Sequence, residues 1–273
     1  MAKIVNHSWM PFVSVLLSAY KGDIHLLSRA INSLKEQSLD PRQFEVIIAY
    51  DGAPDSEAEK LISVDCTGCK FSIRAIWAED GQQTGYYCIP LNRTITTAYG
   101  FYVIHMDVDN EFKPTHLEDL LLAIRQPHPE EGLPHFVYTK RDYVADDSLE
   151  GEPPTLGPSP YVPWTPDNIR KLMVSPKYNF IDKGDFMISR SALYELAERT
   201  GCIWNSSCLR YGDWEIMVRI AGMGYRAKAL DQATHVYHWH GKNLQLTRQA
   251  EDYVVMPADQ YDDMKKKGLV KDA

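Results

Sequence analysis

Two carboxylates one residue apart, Asp107 and Asp109, follow the run Phe101-Tyr102-Val103-Ile104-His105-Met106. Five of those six residues are apolar or aromatic, the make-up of a strand buried on both faces. Such a strand carries its acids to the edge of a sheet, where open α/β folds keep their ligands. Two adjacent carboxylates repel each other unless a positive charge sits between them. A hard divalent cation holding a phosphate supplies that charge. A solvated Asp-rich turn is the plain alternative. A calcium loop is another, since Asp107, Asp109, Glu111 and Glu118 stand at its positions one, three, five and twelve. But Phe112 occupies the position that needs glycine, Pro114 follows, and a strand leads in.

A second pair of acids, Asp213 and Glu215, opens a predicted helix after Tyr211-Gly212. Two helical positions differ by about 200°, so one ligand can be faced by only one of them. Asp213 lies three residues before Ile216, on the side of the apolar Ile216–Ile220 stripe, and Glu215 is turned away from it. An acid favoured only by the helix dipole explains Asp213 equally well. Three histidines cluster in His235-Val236-Tyr237-His238-Trp239-His240, and strand alternation puts His238 and His240 on one face. Packed or surface histidines are the alternative. Cys66-Thr67-Gly68-Cys69 has the spacing of half a zinc site or a redox pair, but Cys202 and Cys208 follow far off at a spacing of six, so loop cysteines are the preferred reading.

The elements that must position these groups alternate. Strands are predicted over residues 12–17, 44–50, 71–77 and 101–106, and helices over 24–37, 56–62, 84–99 and 114–124, with Pro90 inside the third helix. Residues 18–22 read as the exit loop of the first strand. This alternation predicts an α/β fold with a doubly wound, mostly parallel sheet. After residue 126 the pattern changes. Strands are predicted over 135–139, 185–189 and 225–230, and helices over 192–199 and 211–221. Residues 146–167 hold Pro153, Pro154, Pro158, Pro160, Pro163 and Pro166, which predicts a loop or lid without regular elements.

The 273 residues allow one large domain or two small ones, and 44% hydrophobic with 24% charged residues is ordinary for a globular enzyme. A net charge of −8 argues against a broad nucleic-acid-binding surface. No apolar run is long enough to span a membrane. Five cysteines and no recognisable secretion signal predict a reducing, cytoplasmic setting.

Five segments, in order, resemble family 2 glycosyltransferases of the GT-A fold. Residues 11–22 resemble that family's opening strand. Val46-Ile47-Ile48-Ala49-Tyr50-Asp51-Gly52-Ala53-Pro54-Asp55 resembles its second strand and acidic turn, with Ala53 in place of Ser. Leu91-Asn92-Arg93-Thr94-Ile95, continuing to Gly100, resembles its R-N-x-G-I segment, with Leu91 for Arg and Thr94 for Gly. Asp107-Val108-Asp109-Asn110 is similar to its D-x-D-D, and Gly212-Asp213 through Arg219 to its E-D…R helix, with Gly212 for Glu. The resemblance implies a single GT-A domain with a nucleotide-sugar half over 11–125, an acceptor half over 126–250 and a tail over 251–273. It implies a hexosyl-type transferase using Mn2+ or Mg2+, a nucleotide-diphosphate sugar donor and a hydroxyl-bearing acceptor of open class. By the same resemblance Asp109 and His240 bind the metal, with His238 second to His240. Ser18, Ala19, Tyr20, Asp51, Asn92 and Asp107 bind the donor. Asp213 is the base, with Glu215 as fallback, and one base without a second nucleophile implies inversion. Lys242 is a further candidate for a phosphate contact. A sugar-1-phosphate nucleotidyltransferase is the first rival, although Ser18-Ala19-Tyr20-Lys21-Gly22 is a poor triphosphate loop. A non-catalytic nucleotide-sugar-binding module is the second, kept open by Leu91, Thr94 and Gly212.

Overall fold

The structure is a computed structural model that describes residues 10–240 except 78–80, 86, 131, 148, 150–151 and 208–210. Its centre is β1 (Val13–Tyr20), buried along nearly its whole length, with parallel neighbours on both sides. β2 (Phe44–Asp51) lies on one side, followed by β3 (Ser72–Ile76), and β4 (Tyr102–Asp107) lies on the other. Because β1 is bonded on both edges up to its last residues, Ser18, Ala19 and Tyr20 belong to the strand and not to the expected exit loop. The register sets Ser18 beside Asp107 and Tyr20 beside Asp51. The sheet then continues through β8 (Phe186–Ser189), β6 (Phe136–Ala145), β9 (Ala227–Trp239) and β5 (Glu111–Phe112), while β7 (Gly157–Pro158) pairs with β6. β4–β8 and β8–β6 are antiparallel, so the sheet is mixed beyond its parallel first half.

Apolar faces fix the layers. One side of the sheet is covered by α1 (Leu27–Lys35), α2 (Ser56–Asp65) and α4 (His116–Ile124). The other is covered by α3 (Cys88–Ile95), α5 (Pro166–Val174), α6 (Arg190–Thr200) and α7 (Gly212–Gly222). Pro90 sits in the first turn of α3, where its missing N–H has no helical partner to lose. At the sheet end away from Asp107, Ser14 and Arg74 hold the buried Glu45, at 2.6 and 2.5 Å. A side chain at position 100 would come within 2.5 Å of the Ser14 backbone, which explains Gly100.

Two expectations change in the second half. The Pro-rich stretch is not a loop without regular elements. β7 lies within it, and Thr165 caps α5 by accepting from the Asn168 amide. The stretch is also tied down, with Tyr138 Oη donating to Val162 O at 2.6 Å and Trp164 Nε1 to Tyr225 O at 3.0 Å. Proline suits the first helical turn and the edge strand, so its abundance did not exclude either element. The last strand is also far longer than residues 225–230. β9 follows β6 in parallel, through an irregularity near Lys140, as far as Trp239, and so takes up most of the histidine cluster. Among the described residues no helix is long and apolar enough to cross a membrane.

Candidate active site

The parallel strands end on one edge, and the candidate acids gather there. Asp107, the last residue of β4, accepts from Ser18 Oγ at 2.5 Å and pairs through the same Oδ1 with Lys183 Nζ at 2.6 Å. Lys183 is buried and its ammonium lies 3.3 Å from the centre of the Tyr87 ring. Asp109 accepts through Oδ2 from His240 Nε2 at 2.9 Å, while its Oδ1 is buried without a hydrogen-bond partner. Asn110 holds the turn against β9, its side-chain oxygen accepting from the His238 amide at 3.2 Å. The β5–β9 pairing next to that turn is what brings His240 to Asp109. His238 lies 3.6 Å from Glu111 and therefore serves a different carboxylate.

Asp51, at the end of β2, accepts from Thr84 N at 2.9 Å, Thr84 Oγ1 at 2.8 Å and Gly85 N at 2.7 Å, so it fastens the 84–85 loop. Asn92 lies apart from the acids. Its amide bonds both ways with the Trp204 backbone, at 2.6 and 2.8 Å, and Trp204 meets the Tyr87 ring edge-on at 5.7 Å. Gly241, Lys242 and the tail over 251–273 lie outside the described residues.

The acids of α7 part ways. Glu215 is buried and accepts from Arg219 at 2.8 and 2.7 Å through both oxygens. Arg219 also donates to Thr200, Cys202 and Ile203, completing a closed network. Asp213 is half-buried in the first turn and accepts from Asn179 Nδ2 at 2.8 Å. Burial, and after it the charge of Asp182, pushes its carboxyl up to about 7, against the pull of Arg141 and Lys183. Gly212 departs from the family pattern for a visible reason. A Cβ there would stand 2.5 Å from the Tyr87 hydroxyl.

Four groups of this edge escaped the sequence reading. Asp23 accepts from the Tyr20 amide at 2.8 Å. Burial, followed by the charges of Asp109 and Asp107, pushes its carboxyl up to about 8. The Tyr237 hydroxyl, held well above its usual range by burial, feels Asp182, Asp109 and Asp107. Tyr87 and Lys183 complete the set. Only Asp23, an acid just beyond the first strand, carried a signal in sequence. Cys66 and Cys69 lie at and beyond the end of α2, and burial pushes both thiols up, Cys66 to about 12, which leaves them poor thiolates.

A divalent ion is implied by the resemblance. Among the described residues no group of three or more His, Cys, Asp or Glu side chains is arranged to hold one. The donor set still suits Mg2+ or Mn2+, which take one or two carboxylates and fill the remaining positions with water and substrate phosphate. The orphaned Asp109 Oδ1 is such an oxygen.

No curated protein matches the sequence significantly. Similar solved structures include S. aureus TarS 1-349 in complex with UDP-GlcNAc, at TM-score 0.62 and 17% identity, covering 93% of this chain and 64% of that one. The same TarS fragment with UDP aligns at TM-score 0.59 and 19% identity, over 84% and 61%. Mannosyltransferase PcManGT from Pyrobaculum calidifontis, in complex with GDP-Man and Mn2+, aligns at 0.57 and 17%, over 84% and 57%. The chain thus spans about three fifths of the length of these structures and shares their GT-A fold. The family model for glycosyl transferase family 2 matches residues 14–197, about two thirds of the sequence, and the chain belongs to that family.

Proposed function

We propose that the chain transfers a sugar from a nucleotide-diphosphate sugar to an acceptor hydroxyl, with Mn2+ or Mg2+ bound and with inversion at the anomeric carbon. The observation that carries this reading is the Asp213 carboxylate, paired with no cation at hydrogen-bond distance but with the neutral Asn179 amide, and poised near neutrality on the edge that holds the Asp107–Asp109 turn. Family membership and the nucleotide-bearing structures of similar fold support it.

In this reading the donor's base lies along Ser18, Ala19 and Tyr20. Asp51 orders the 84–85 loop against it, and Asp107 meets the ribose. Asn92 acts from a distance by holding Trp204 against Tyr87. Asp109 and His240 would hold the divalent ion, which when bound would supply Lewis-acid stabilisation of the leaving diphosphate. Asp213 takes the acceptor's proton as its oxygen attacks, and a carboxyl near 7 is well matched to that task. Glu215 is neutralised by Arg219 and offers no second nucleophile, which favours one displacement and therefore inversion. We assign donor binding to residues 11–125 and acceptor binding to 126–250 of one domain. Free thiols at Cys66, Cys69 and Cys202 support a cytoplasmic setting.

The test is donor hydrolysis and transfer with UDP- and GDP-sugars, with and without Mn2+, reading anomeric configuration by proton NMR. Mn2+-dependent turnover with an inverted product is expected. A retained configuration would remove the single-displacement step. Binding of the donors without any turnover, under a range of acceptors, would favour the non-catalytic module.

A further inference from the structure

We propose that Lys183 is the resident counter-ion of Asp107 and withholds that carboxylate from the divalent ion. The ion is then bound by Asp109, His240 and the donor's phosphates together, and only weakly before the donor arrives. The inference rests on the donor-site reading above and deepens it.

The geometry fixes the ammonium in place. Lys183 precedes β8 on a loop whose ends are pinned. The Asp182 amide donates to Asp185 Oδ2 at 2.7 Å, and Gly184 N to Asp182 Oδ1 at 3.1 Å. Arg141 and His235 hold Asp185 from the other side, at 2.6 and 2.8 Å. A side chain at residue 184 would come within 2.6 Å of the His235 ring, so the loop lies close against β9 at Gly184. From this base the Lys183 side chain, 7% exposed, runs between the Tyr87 ring and Asp107. Burial opposes its charge, but Asp107 and Asp182 more than offset that and hold the amine protonated.

The two acids of the turn therefore face different fields. Asp107 Oδ1 already accepts two hydrogen bonds and is neutralised by a buried cation. Asp109 Oδ1 is buried with no partner. A divalent ion entering alone would meet one available carboxylate, because the Asp107–Lys183 pair is neutral and offers it no net attraction. A nucleoside diphosphate brings the negative charge that the pair withholds. Lys183 thus makes metal binding conditional on the donor, and it acts as a positioning residue, not a catalytic one.

The test is calorimetric titration of the full chain with MnCl2 alone, then in the presence of UDP and of GDP. Lys183→Gln should bind Mn2+ alone about tenfold more tightly than wild type, because the Asp107 carboxylate is released from its counter-ion. The gain in Mn2+ affinity given by the nucleotide should shrink by a similar factor. Lys183→Arg should stay within about twofold of wild type. Removal of a buried cation can unfold a protein, and a second comparison does not depend on it. Asp107→Asn, which leaves the Lys183 ammonium unpaired, should weaken binding of Mn2+ alone several-fold, while Asp109→Asn should abolish it. Unchanged or weaker Mn2+ binding by a folded Lys183→Gln, or equal losses in the Asp107 and Asp109 variants, overturns the inference. If wild type binds no Mn2+ even with UDP or GDP, the donor-site reading fails with it. Nucleotide-dependent Mn2+ binding that Lys183→Gln leaves untouched defeats this inference alone.

Discussion

The turn after β4 and the first turn of α7 each present two carboxylates two positions apart, and the protein divides each pair in the same way. Asp107 receives Lys183 as a resident cation and Glu215 receives Arg219. Asp109 keeps an oxygen without a partner, and Asp213 is pushed up to about 7 by burial and Asp182. The committed acid shapes the site, and its neighbour is left electrostatically unsatisfied and available for chemistry. The pairs differ in how the cation arrives. Arg219 is four residues from Glu215 on the same helix, a local contact. Lys183 reaches Asp107 from another part of the sheet, across the junction of β4 and β8.

The sharpest way to break this comparison is to neutralise the available acids. Asp109→Asn should abolish Mn2+-dependent binding of a nucleoside diphosphate and bring turnover down to background, a loss of about a thousandfold or more. Calorimetry showing unchanged Mn2+-dependent affinity would remove Asp109 from the metal site. Asp213→Asn should lower kcat by about a hundredfold or more while nucleotide affinity stays within a few-fold, because a base acts on the acceptor.

The committed acid of α7 should fail differently. Glu215→Gln leaves Arg219 buried without its counter-charge and should cost about 3 kcal/mol of stability in urea titration, with kcat per folded molecule close to wild type. A well-folded but inactive Glu215→Gln beside a nearly normal Asp213→Asn would exchange their roles.

Titration sharpens the contrast next. Asp213 must be ionised to act, so kcat/KM should rise with pH and level off above about 7. Its effect on stability has the opposite sense. The folded state holds a proton on Asp213 between the ordinary carboxylate value of 3.8 and about 7, where the unfolded chain has lost it. Stability therefore falls as pH rises through that window. At pH 8 Asp213→Asn should be more stable than wild type, and near pH 4 the difference should vanish. Thermal melts at the two pH values decide it, and an Asp213 variant that is less stable at pH 8 would contradict the origin given for its raised carboxyl.

The smallest effect concerns the space beside Asp213. Gly212→Ala should cost about 1–2 kcal/mol through overlap with the Tyr87 hydroxyl, and Tyr87→Phe in the same chain should recover most of it. Equal destabilisation in the single and double variants would place the conflict elsewhere.

Much of the parallel half of the sheet was legible along the chain. β1, β2 and β4 are buried on both faces, so each reads as an apolar run, and turn acids mark where β2 and β4 stop. The D-x-D turn, Asp51 and the start of α7 were found because strand ends and helix starts are set by neighbouring residues. The second half was less legible. β9 owes its length to pairing with β6, a partner far away in sequence, and no local period announces it. The Pro-rich stretch concealed α5, because proline at a helix start resembles proline in a loop.

Local chemistry thus settled which residues are acids at chain reversals, and that two pairs of them exist. Which acid in each pair is neutralised depends on where a cation is buried. For Asp107 that is decided by Lys183, which in sequence is one lysine among polar neighbours, and by Tyr87, which in sequence is one aromatic among several. Coulomb interaction and desolvation act through space, and the sheet sets those distances only when distant strands meet.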